Sequence, residues 1–563
     1  MKVIIVGGVA GGATAAARIR RLDEGAEILV FERSGYVSYA NCGLPYYIGG
    51  TIEEPEALTL QTPESFLSRF RVTMKVRHEV TAIHPERKTV SVRNLTTGED
   101  FEESYDKLLL APGAKPTQPR LPGVGLERLF TLRTVEDTFR IRDFIEREHP
   151  RSAVLAGGGF IGLELAENLR ELSLEVTIVQ RPKQVLNPFD PDMAAFLHAE
   201  LRRRGVKLAL GRTVEGFEER DGGVDVLLKD EAPLHADFVI LAIGVTPDTA
   251  LVREAGLELG VKGSIVVNDR METSAPDIYA VGDAVQVRHF VTGQDTLLSL
   301  AGPANKQGRI AADNICGGDS RYRGSQGSSV LKLFSLTAAS TGISVTAAQK
   351  AGLDADYVVL SPMSHAGYYP GGRLMTMKVV FERETYRLLG AQIVGYEGVD
   401  KRIDVLATAI RAGLTAIDLK ELDLAYAPPY SSAKDPVNMA GFMVENLAEG
   451  MVRQWYPEQE PDLPRDGSVT LLDVRTEEEF ASGHIPGFRN IPVDELRQRM
   501  GELEPGKPVY VICQSGLRSY IAARILTGYG FEAHNFAGGY RYYEAVRSDR
   551  CLVEAALPCG MDR

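Results

Sequence analysis

The chain has 563 residues, and 63 Lys and Arg residues against 76 Asp and Glu residues give it a net charge of −13. This acidic balance argues against nucleic acid and membrane surfaces as partners, because both require clustered Lys and Arg. The length predicts several domains, and no apolar run is long enough to span a bilayer. Five cysteines are too few, and odd in number, for a disulfide framework, so we expect a reducing cytoplasmic location.

The N-terminal residues have the pattern of a nucleotide-binding βαβ unit. Residues 2–6 and 28–31 are apolar β runs and residues 13–22 favour a helix, which predicts a strand entering a glycine turn and no signal peptide. In such a turn backbone N–H groups and the helix N-terminus face a pyrophosphate, and Glu32 can bind ribose hydroxyls. Val9 stands where the G-x-G-x-x-G pattern has its middle glycine, which weakens the match. The predicted binding residues are Gly7, Val9, Ala10, Gly11, Gly12, Glu32 and Arg33.

The same pattern recurs, which predicts a second nucleotide cofactor on its own Rossmann-type domain. Residues 153–156 and 176–179 are the strands, and the turn between them has all three glycines of the motif. The second strand ends in Gln180 and Arg181 in place of an acid, so a 2′-phosphate is tolerated and Arg181 can pair with it. Arg181 is equally compatible with a solvated surface, so the choice between NADH and NADPH stays open. The predicted binding residues are Gly157, Gly159, Phe160, Ile161, Gly162, Gln180 and Arg181.

The second half of the chain predicts two further domains. Apolar alternation mixed with helical pattern indicates an α+β domain over residues 330–334, 375–381 and 388–394. Residues 456–467 hold three prolines and many charges, which are typical of a linker. Beyond them, residues 470–474 and 509–513 have the composition of buried strands of a separate small α/β domain.

Together these motifs resemble the pyridine nucleotide–disulfide oxidoreductases, flavoproteins with two nucleotide cofactors. The resemblance covers residues 1–448 and rests on both glycine turns and on the motifs Leu110-Ala111-Pro112-Gly113-Ala114, Leu241-Ala242-Ile243-Gly244 and Ile278-Tyr279-Ala280-Val281-Gly282-Asp283. It implies FAD on the first turn, NAD(P)H on the second, and Asp283 on the ribityl chain of the flavin. Further cofactor contacts are implied at Gly113, Gly244, Gly282, Ala301 and Lys434.

A cysteine follows the first nucleotide half-site, in the segment Ser38-Tyr39-Ala40-Asn41-Cys42-Gly43-Leu44-Pro45-Tyr46. Disulfide reductases of the glutathione type have two cysteines spaced C-x4-C, but position 47 here is Tyr. Cys42 therefore has no partner for a disulfide within this motif; it can hold a mixed disulfide with a thiol substrate or be oxidised to a sulfenic acid. A lone cysteine is often an inert buried residue, but this position predicts a redox role.

This segment is similar to the coenzyme A–disulfide reductase branch of the family, with Tyr39 in place of Phe. The resemblance implies a coenzyme A site lined by Thr14, Arg18, Arg21, Ser38 and Asn41. The two arginines share one face of the first helix, where they can meet phosphates, although a solvated helix face has the same pattern. Further substrate candidates are Arg69, Arg71 and Asn305.

Two tyrosines of the third domain, Tyr368 and Tyr426, match the same branch. In the resembling enzymes this domain forms a homodimer interface, and the matching tyrosines reach the partner's cysteine. A phenol is a good donor to a leaving thiolate. Tyr369 and Tyr430 are the alternative pair, and all four are compatible with a role in packing alone.

The C-terminal residues resemble a single rhodanese module, on the motifs Leu472-Asp473-Val474-Arg475, Gly483-His484-Ile485-Pro486-Gly487 and Cys513-Gln514-Ser515-Gly516-Leu517-Arg518-Ser519. At a helix N-terminus, Cys513 faces backbone N–H groups and a positive dipole that stabilise a thiolate or persulfide, and Arg518 adds charge. The loop length from Cys513 to Arg518 is that of sulfurtransferases, whereas related phosphatases have one more residue. A dead or phosphatase-like module is the alternative.

The predicted architecture is α/β, with two Rossmann-type nucleotide-binding domains, an α+β dimerisation domain and a C-terminal rhodanese α/β domain. The predicted boundaries are 1–112 with 245–326 for FAD, 113–244 for NAD(P)H, 327–449 for dimerisation, 450–466 for a linker and 467–555 for the rhodanese domain. Cys316, Cys551 and Cys559 lie in no motif and are predicted to be structural or incidental.

The resemblance implies a homodimeric, FAD-dependent NAD(P)H:coenzyme A persulfide, disulfide or polysulfide reductase without a metal. Cys42 is expected to receive two electrons from the flavin, and Cys513 to carry sulfane sulfur and pass it to coenzyme A. A flavin NADH oxidase or peroxidase that cycles Cys42 through a sulfenic acid is an alternative, but it explains neither the arginines and tyrosines nor the rhodanese loop. A non-catalytic redox-sensing or sulfur-carrier protein is the third possibility, which the complete second glycine turn disfavours.

Overall fold

The structure, a computed structural model, describes residues 1–554. The chain forms two compact units, Met1–Arg181 with Gly205–Gly327, and Pro182–Arg204 with the chain from Ser328 onward. Position 555, the last residue of the predicted rhodanese domain, and Cys559 lie outside the described residues. Within residues 1–554, every helix is too short or too polar to cross a bilayer.

The first unit begins with the predicted βαβ arrangement in a five-stranded parallel sheet. The helix spans Ala10–Leu22 and begins earlier than predicted, because the last glycines of the turn already form its first turn. Its apolar face is buried in the core, and helix Ala301–Ile315 packs against it. The strands lie in the order Ile278–Ala280, Lys107–Leu110, Lys2–Val6, Glu27–Glu32 and Thr73–Val76.

The second βαβ arrangement lies in another five-stranded parallel sheet of the same unit. Strand Ser152–Ala156 is at its centre and is almost wholly buried, as expected for a parallel strand covered on both faces. Helix Phe160–Glu171 follows the second glycine turn. The strands lie in the order Lys207–Leu210, Glu175–Gln180, Ser152–Ala156, Phe238–Leu241 and Leu129–Thr131.

Short elements complete the first unit. The antiparallel pair Ala114–Pro116 and Val245–Pro247 lies where the chain leaves and re-enters the first nucleotide domain. A smaller pair consists of Val287–Arg288 and Asp295–Thr296. Two three-stranded antiparallel ribbons consist of His78–His84, Thr89–Asn94 and Asp100–Ser104, and of Val214–Arg220, Gly223–Leu228 and Leu234–Ala236. The remaining α-helices are Leu44–Ile48, Pro63–Phe70, Val135–Glu148 and Ala250–Glu254.

The second unit contains the predicted α+β arrangement. Its central strand, Leu388–Gly395, is buried along its whole length. The antiparallel strands lie in the order Ser329–Leu333, Leu336–Gly342, Leu388–Gly395, Thr376–Glu382 and Ala355–Leu360. The helices that accompany this sheet are Pro191–Arg203, Val345–Lys350, Val399–Ala412 and Pro436–Ala448.

The C-terminal module of the second unit has a five-stranded parallel sheet, in the order Arg453–Trp455, Ala533–Phe536, Val509–Ile512, Thr470–Asp473 and Arg489–Asn490. The first of these strands lies inside the segment predicted as a linker, so that prediction is wrong for residues 453–455. The segment was predicted as a linker because prolines follow this short edge strand. Its Trp455 is buried against Phe488 and Phe536. The other domain boundaries stay predictions. The module's helices are Glu477–Ala481, Leu517–Gly528 and Gly539–Glu554.

A buried ion cluster connects three segments of the second unit. Lys378 Nζ, on the antiparallel sheet, lies 2.6 Å from Asp192 Oδ2 and 3.1 Å from Asp190 Oδ2. Both aspartates lie at the start of helix Pro191–Arg203, and the hydroxyl of Tyr542, on the C-terminal helix, donates to Asp192. All four side chains are almost fully buried. The C-terminal module is therefore attached to the sheet through paired charges.

Pairing decides the ionisation of this cluster. Burial alone would lower the pKa of Lys378 and raise that of Asp190, but attraction between them outweighs burial in both cases, and the pKa of Lys378 is raised while that of Asp190 is lowered. Because the folded state lowers the pKa of Asp190, its stabilising contribution is present at neutral pH and is lost as the pH falls through that lowered pKa.

We expect Lys378→Met to lower the free energy of unfolding by about 3–5 kcal/mol, because it leaves two buried carboxylates without a cation. The thermal unfolding midpoint of the whole chain measures the effect. Lys350→Met, at an exposed position of a neighbouring helix, is the matched control and should leave the midpoint unchanged. An equal midpoint for both variants would contradict the prediction.

Candidate active site

The first glycine turn depends on two very close backbone approaches. Gly7 has φ +99°, and a Cβ on it would lie 2.1 Å from the carbonyl oxygen of Ala111. A Cβ on Gly12 would lie 1.9 Å from the carbonyl oxygen of Gly7. Val9 precedes the helix with φ −101° and ψ −141°, outside the left-handed region that favours glycine, so its backbone conformation does not require a glycine. The N–H groups of the first helical turn remain available to a pyrophosphate.

The second turn repeats this geometry. A Cβ on Gly157, at φ +118°, would lie 2.2 Å from the carbonyl oxygen of Ala242, and one on Gly162 would lie 2.1 Å from that of Gly157. Gly159 takes the place that Val9 has in the first turn, and a Cβ added there meets no atom within 4 Å. This open space directly before helix Phe160–Glu171 fits a dinucleotide phosphate.

Glu32 and Gln180 occupy equivalent positions beside the two turns. Glu32 Oε2 accepts a hydrogen bond from Gly8 N at 2.8 Å, and Gln180 Oε1 accepts one from Gly158 N at 3.0 Å. The second site therefore has a neutral acceptor where the first has a carboxylate. The adjoining Arg181 is exposed, so a ribose with or without a 2′-phosphate is compatible with this site.

The remaining predicted cofactor residues are distributed over both units. Gly113 and Gly244 have positive φ angles of +68° and +109° at the paired strands that connect the nucleotide domains. The N–H of Gly282 donates to the buried Gln307 at 2.7 Å, a residue that the motif search missed. Arg33 forms an ion pair of 2.7 Å with Asp248. Exposed positions are taken by Ala301, in the first unit, and Lys434, in the second.

The cysteine loop is tied to the first glycine turn. Ser38 has φ +47°, an uncommon angle for a residue with a side chain, and its N–H donates to the carbonyl oxygen of Gly8 at 2.9 Å. The chain then forms the short turn Asn41–Gly43 and helix Leu44–Ile48. Cys42 is exposed in this turn and forms no disulfide.

Arg133 connects the cysteine loop to the predicted flavin-binding aspartate. It lies in no sequence motif and was not predicted as a site residue. Its Nη2 donates to Asp283 Oδ2 at 2.8 Å. With the Asn41 amide oriented so that both of its polar atoms are paired, its nitrogen donates to the Arg133 carbonyl oxygen at 3.0 Å and its oxygen accepts from Arg133 Nη1 at 3.2 Å. The Tyr39 hydroxyl donates to the same carbonyl oxygen at 3.4 Å. Asn41 and Asp283 are thus brought to one place around Cys42.

The surroundings of Cys42 disfavour its thiolate. Partial burial raises the pKa of the thiol, the carboxylates of Glu164 and Asp283 raise it further, and Arg133 acts in the opposite direction. Glu164 lies on helix Phe160–Glu171, where burial and the neighbouring Glu167 raise its pKa to about 7. Glu164 therefore changes charge near neutral pH beside the only cysteine of this loop.

The structure brings some of the predicted coenzyme A residues together. The Thr14 hydroxyl donates to the Asn305 amide oxygen at 2.8 Å. Arg18 Nε donates to Asp313 Oδ1 at 2.7 Å, so its charge is already paired. Three further arginines are exposed: Arg21 at the end of the first helix, and Arg69 and Arg71 at the end of helix Pro63–Phe70. Arg71 Nη1 lies 3.5 Å from Glu24 Oε1, so its charge is paired as well.

Arg20, which is not a motif residue, holds those arginines in place. Its buried guanidinium donates to the carbonyl oxygens of Phe70 and Arg71 at 2.8 and 3.0 Å, and to that of Ala26 at 2.7 Å. The end of helix Pro63–Phe70 is thereby fixed beside the end of helix Ala10–Leu22. The sequence pattern could not separate this structural arginine from its exposed neighbours.

The two predicted catalytic tyrosines meet each other in the second unit. The Tyr368 and Tyr426 hydroxyl oxygens are 2.6 Å apart, and both side chains are exposed. The hydrogen bond between the two hydroxyl groups raises the pKa of Tyr426. The fully buried Arg402 connects the two tyrosine loops, since its Nη2 donates to the carbonyl oxygen of Ser364 at 3.0 Å and to Asp435 Oδ2 at 3.1 Å.

Cys513 lies at the base of the C-terminal loop and is fully buried. Its Sγ accepts hydrogen bonds from Gly516 N at 3.1 Å and from the Ser519 hydroxyl at 3.2 Å. Arg518 turns its guanidinium to Glu479, with two N–H···O distances of 2.7 and 2.8 Å. The sequence did not assign roles to Ser519 and Glu479. Their contacts with Cys513 and Arg518 depend on the folded conformation of the loop.

Comparison with known proteins identifies the two parts of the chain. Residues 1–308 match the pyridine nucleotide-disulphide oxidoreductases. Residues 328–436 match the dimerisation domain of pyridine nucleotide-disulphide oxidoreductases, and residues 458–545 match the rhodanese-like domain. The chain belongs to the pyridine nucleotide-disulphide oxidoreductase family.

Relatives within this family extend the similarity to the whole chain. A coenzyme A disulfide reductase of Staphylococcus aureus strain JH9 is 38% identical over 442 residues, covering 78% of this chain and 99% of the relative. The crystal structure of reduced Bacillus anthracis CoADR-RHD has a TM-score of 0.95 and 46% identity, with 98% of each chain covered. A NAD-dependent persulfide reductase from A. fulgidus has a TM-score of 0.91 and 37% identity, covering 96% of this chain and 100% of that one.

These findings confirm the predicted family, fold class and enzymatic character. The chain is an oxidoreductase that uses FAD and NAD(P)H, and it carries a rhodanese-like domain. The non-catalytic alternative is therefore not retained. The cytoplasmic location, the exclusion of nucleic acid and membranes, and the individual site residues stay predictions.

We expect Glu164→Gln to lower the pKa of the Cys42 thiol, because it removes the carboxylate that raises this pKa most. The difference should appear only above about pH 7, where wild-type Glu164 is ionised. The rate of Cys42 alkylation in the reduced holoenzyme, followed by mass spectrometry against pH, measures the shift. Glu171→Gln, at an exposed position of the same helix, is the control; an unshifted Glu164→Gln profile would contradict the prediction.

Proposed function

We propose that the protein is a homodimeric, FAD-dependent NAD(P)H:coenzyme A persulfide and disulfide reductase that uses one redox cysteine, Cys42. The observation that carries the proposal is the exposed Cys42 beside Asn41, Arg133 and Asp283, with Tyr47 where a second cysteine would stand. Its disulfide partner therefore has to come from a substrate thiol. The similarity to a coenzyme A disulfide reductase and to a persulfide reductase supports this substrate class.

The cofactors are assigned to the two glycine turns. FAD fits the first turn, with Glu32 toward its ribose and Asp283 toward its ribityl chain, and NAD(P)H fits the second turn beside Gln180. When bound, the reduced flavin supplies the two electrons that return a Cys42 mixed disulfide to thiolate and free thiol. The choice between NADH and NADPH stays open at this site.

The chemistry of Cys42 is thiol–disulfide exchange. Its thiolate attacks the inner sulfur of a coenzyme A persulfide; the bond between that sulfur and Cys42 forms, the S–SH bond breaks, and hydrosulfide leaves. With coenzyme A disulfide the same attack releases one coenzyme A thiolate. Arg133 stabilises negative charge at this position, while Glu164 can take up or release a proton near pH 7.

Coenzyme A recognition is assigned to the exposed end of the first helix. Thr14 and Asn305 form one polar pair, and Arg18, Arg21 and Arg71 supply cations for the phosphate groups. Arg18 shares its charge with Asp313, and Arg71 shares its charge with Glu24, so a bound phosphate competes with these carboxylates. Ser38 and Asn41 stand at the cysteine end of the same predicted site.

The tyrosine pair is assigned to the partner's active site. Tyr368 and Tyr426 are exposed in the single chain, although hydroxyl groups that donate protons usually act from protected positions. Their exposure is explained if the dimerisation domain places them against the partner subunit. There one phenol donates its proton to the leaving thiolate. The hydroxyl group of the other tyrosine, 2.6 Å away, is hydrogen-bonded to this phenol and supports the proton transfer.

The rhodanese-like domain is assigned the transfer of sulfane sulfur. The two donors to Cys513 Sγ, Gly516 N and the Ser519 hydroxyl, stabilise a thiolate that accepts sulfur and a persulfide that returns it. Coenzyme A persulfide formed from this sulfur is then a substrate for Cys42. A flavin oxidase or peroxidase shares the lone cysteine but leaves Cys513 without a role.

We expect Cys42→Ser to abolish anaerobic NAD(P)H oxidation with coenzyme A persulfide and coenzyme A disulfide, lowering kcat by about 10³-fold or more because the nucleophile is lost. Cys513→Ser should keep the reduction of coenzyme A persulfide and lose sulfur transfer. Cys316→Ser is the matched control for a cysteine without a motif. Normal turnover in Cys42→Ser would refute the proposal, and coenzyme A-independent consumption of peroxide would favour the oxidase or peroxidase.

We expect Tyr368→Phe and Tyr426→Phe each to lower kcat for coenzyme A disulfide by about 10–100-fold with little change in KM, because proton donation to the leaving thiolate is lost. Steady-state kinetics of the holoenzyme measure both parameters. Tyr369→Phe and Tyr430→Phe are the controls, since these exposed neighbours lie outside the hydroxyl pair. A larger loss in the controls would reassign the role to the alternative pair.

A further inference from the structure

The charged side chain of the Cys513 loop is already paired with a carboxylate. Within the loop 513–518, Arg518 is the only charged residue, and Glu479 binds its guanidinium through two charge-assisted hydrogen bonds. Arg518 lowers the pKa of Glu479 to about 2, so the pair is ionised throughout the neutral range. The loop therefore presents little net positive charge to an incoming sulfur donor.

A second arginine near the loop is also compensated. Arg475 is fully buried and binds both carboxylate oxygens of Asp473, with a longer contact of 3.3 Å to the Gln514 side chain. Arg541 donates its backbone N–H to the carbonyl oxygen of Gln514, and its guanidinium lies 5.8 Å from the ring centroid of Phe196. The charge of Arg475, like that of Arg518, is therefore balanced by a carboxylate.

Two exposed apolar residues lie on the helix that follows the loop. Leu517 and Ile521 are one helical turn apart on helix Leu517–Gly528, and their relative exposures are 60% and 41%. They flank Arg518 in the sequence of this helix. These two side chains complement an alkyl chain and donate no hydrogen bond to the sulfonate oxygens of thiosulfate.

We propose that the rhodanese-like domain takes its sulfur from alkyl persulfides and discriminates against thiosulfate, through the neutralisation of Arg518 by Glu479 and the apolar residues Leu517 and Ile521. This proposal rests on the assignment of sulfane-sulfur transfer to Cys513. A compact dianion needs a free cation close to the attacking thiolate, whereas an alkyl persulfide carries at most one negative charge at its sulfur end. Glu479 is thus a specificity-determining residue that acts through Arg518.

The transfer is balanced without a further oxidant or reductant. The Cys513 thiolate attacks the terminal sulfur of R–S–SH; the bond from Cys513 to that sulfur forms, the R–S to sulfur bond breaks, and R–S⁻ leaves. The products are the Cys513 persulfide, which carries the proton, and the alkyl thiolate. The corresponding reaction of thiosulfate releases sulfite, so the same persulfide forms from either donor and the two rates are directly comparable.

The test compares two donors, thiosulfate and the persulfide of N-acetylcysteamine, on the full-length holoenzyme. The rate of Cys513 persulfide formation is measured for each donor by mass spectrometry of the intact chain. We expect wild type to react at least about tenfold faster with the alkyl persulfide than with thiosulfate. Equal rates, or a preference for thiosulfate, would overturn the inference. That result needs no substituted protein, so it is independent of whether a variant folds.

Glu479→Gln frees the charge of Arg518 and should raise the thiosulfate rate by about tenfold, while the alkyl persulfide rate changes by less than about threefold. Glu478→Gln, which removes an exposed carboxylate from the same helix, should leave both rates unchanged. An unchanged thiosulfate rate in a folded Glu479→Gln protein would refute the role of Glu479. Persulfidation by neither donor would instead refute the proposed sulfur transfer by Cys513.

Discussion

The hydrogen bond from Ser38 N to the carbonyl oxygen of Gly8 joins the cysteine loop to the first nucleotide turn, and the rest of the active site depends on this connection. Gly8 is fixed by its own N–H bond to Glu32 and by the close approaches of Gly7 and Gly12. Any movement of the turn would therefore move the loop that carries Cys42. The left-handed conformation of Ser38 is tolerated because the bond and the turn both require it. The position of Cys42 thus follows from the geometry of the turn that is predicted to bind FAD.

Charge around this thiol is divided between one guanidinium and two carboxylates. Arg133 favours the thiolate, whereas Glu164 and Asp283 oppose it, and with partial burial the thiol is favoured overall. Asp283 is itself paired with Arg133, which leaves Glu164 as the carboxylate whose charge changes near neutral pH. A resting thiol that ionises only when its surroundings change is protected from oxidation by peroxide. Because the thiolate is also the nucleophile in thiol–disulfide exchange, the same surroundings slow the reaction of Cys42 with a disulfide substrate.

Motifs whose members are adjacent in the chain could be predicted from the sequence, because the physical requirement is local. The glycines of both turns, the lone Cys42 and the Cys513 loop belong to this class. Contacts between distant residues could not be predicted in the same way: Arg133 reaches Asn41 and Asp283 through folding alone. The strand Arg453–Trp455 was missed for a related reason, since its pairing partner, Ala533–Phe536, lies far along the chain and the prolines after it are typical of a linker.

Both sulfur sites share a physical feature, an arginine whose charge is compensated by a carboxylate. Arg133 is paired with Asp283 near Cys42, and Arg518 with Glu479 near Cys513. A compensated guanidinium orients its neighbours but attracts distant anions weakly, because the field of the pair falls off faster than that of a free charge. Long-range attraction of an anionic substrate therefore has to come from exposed cations away from the sulfur atoms. In the first unit the exposed Arg21 meets this requirement at the predicted coenzyme A site, where we expect the phosphates to determine capture.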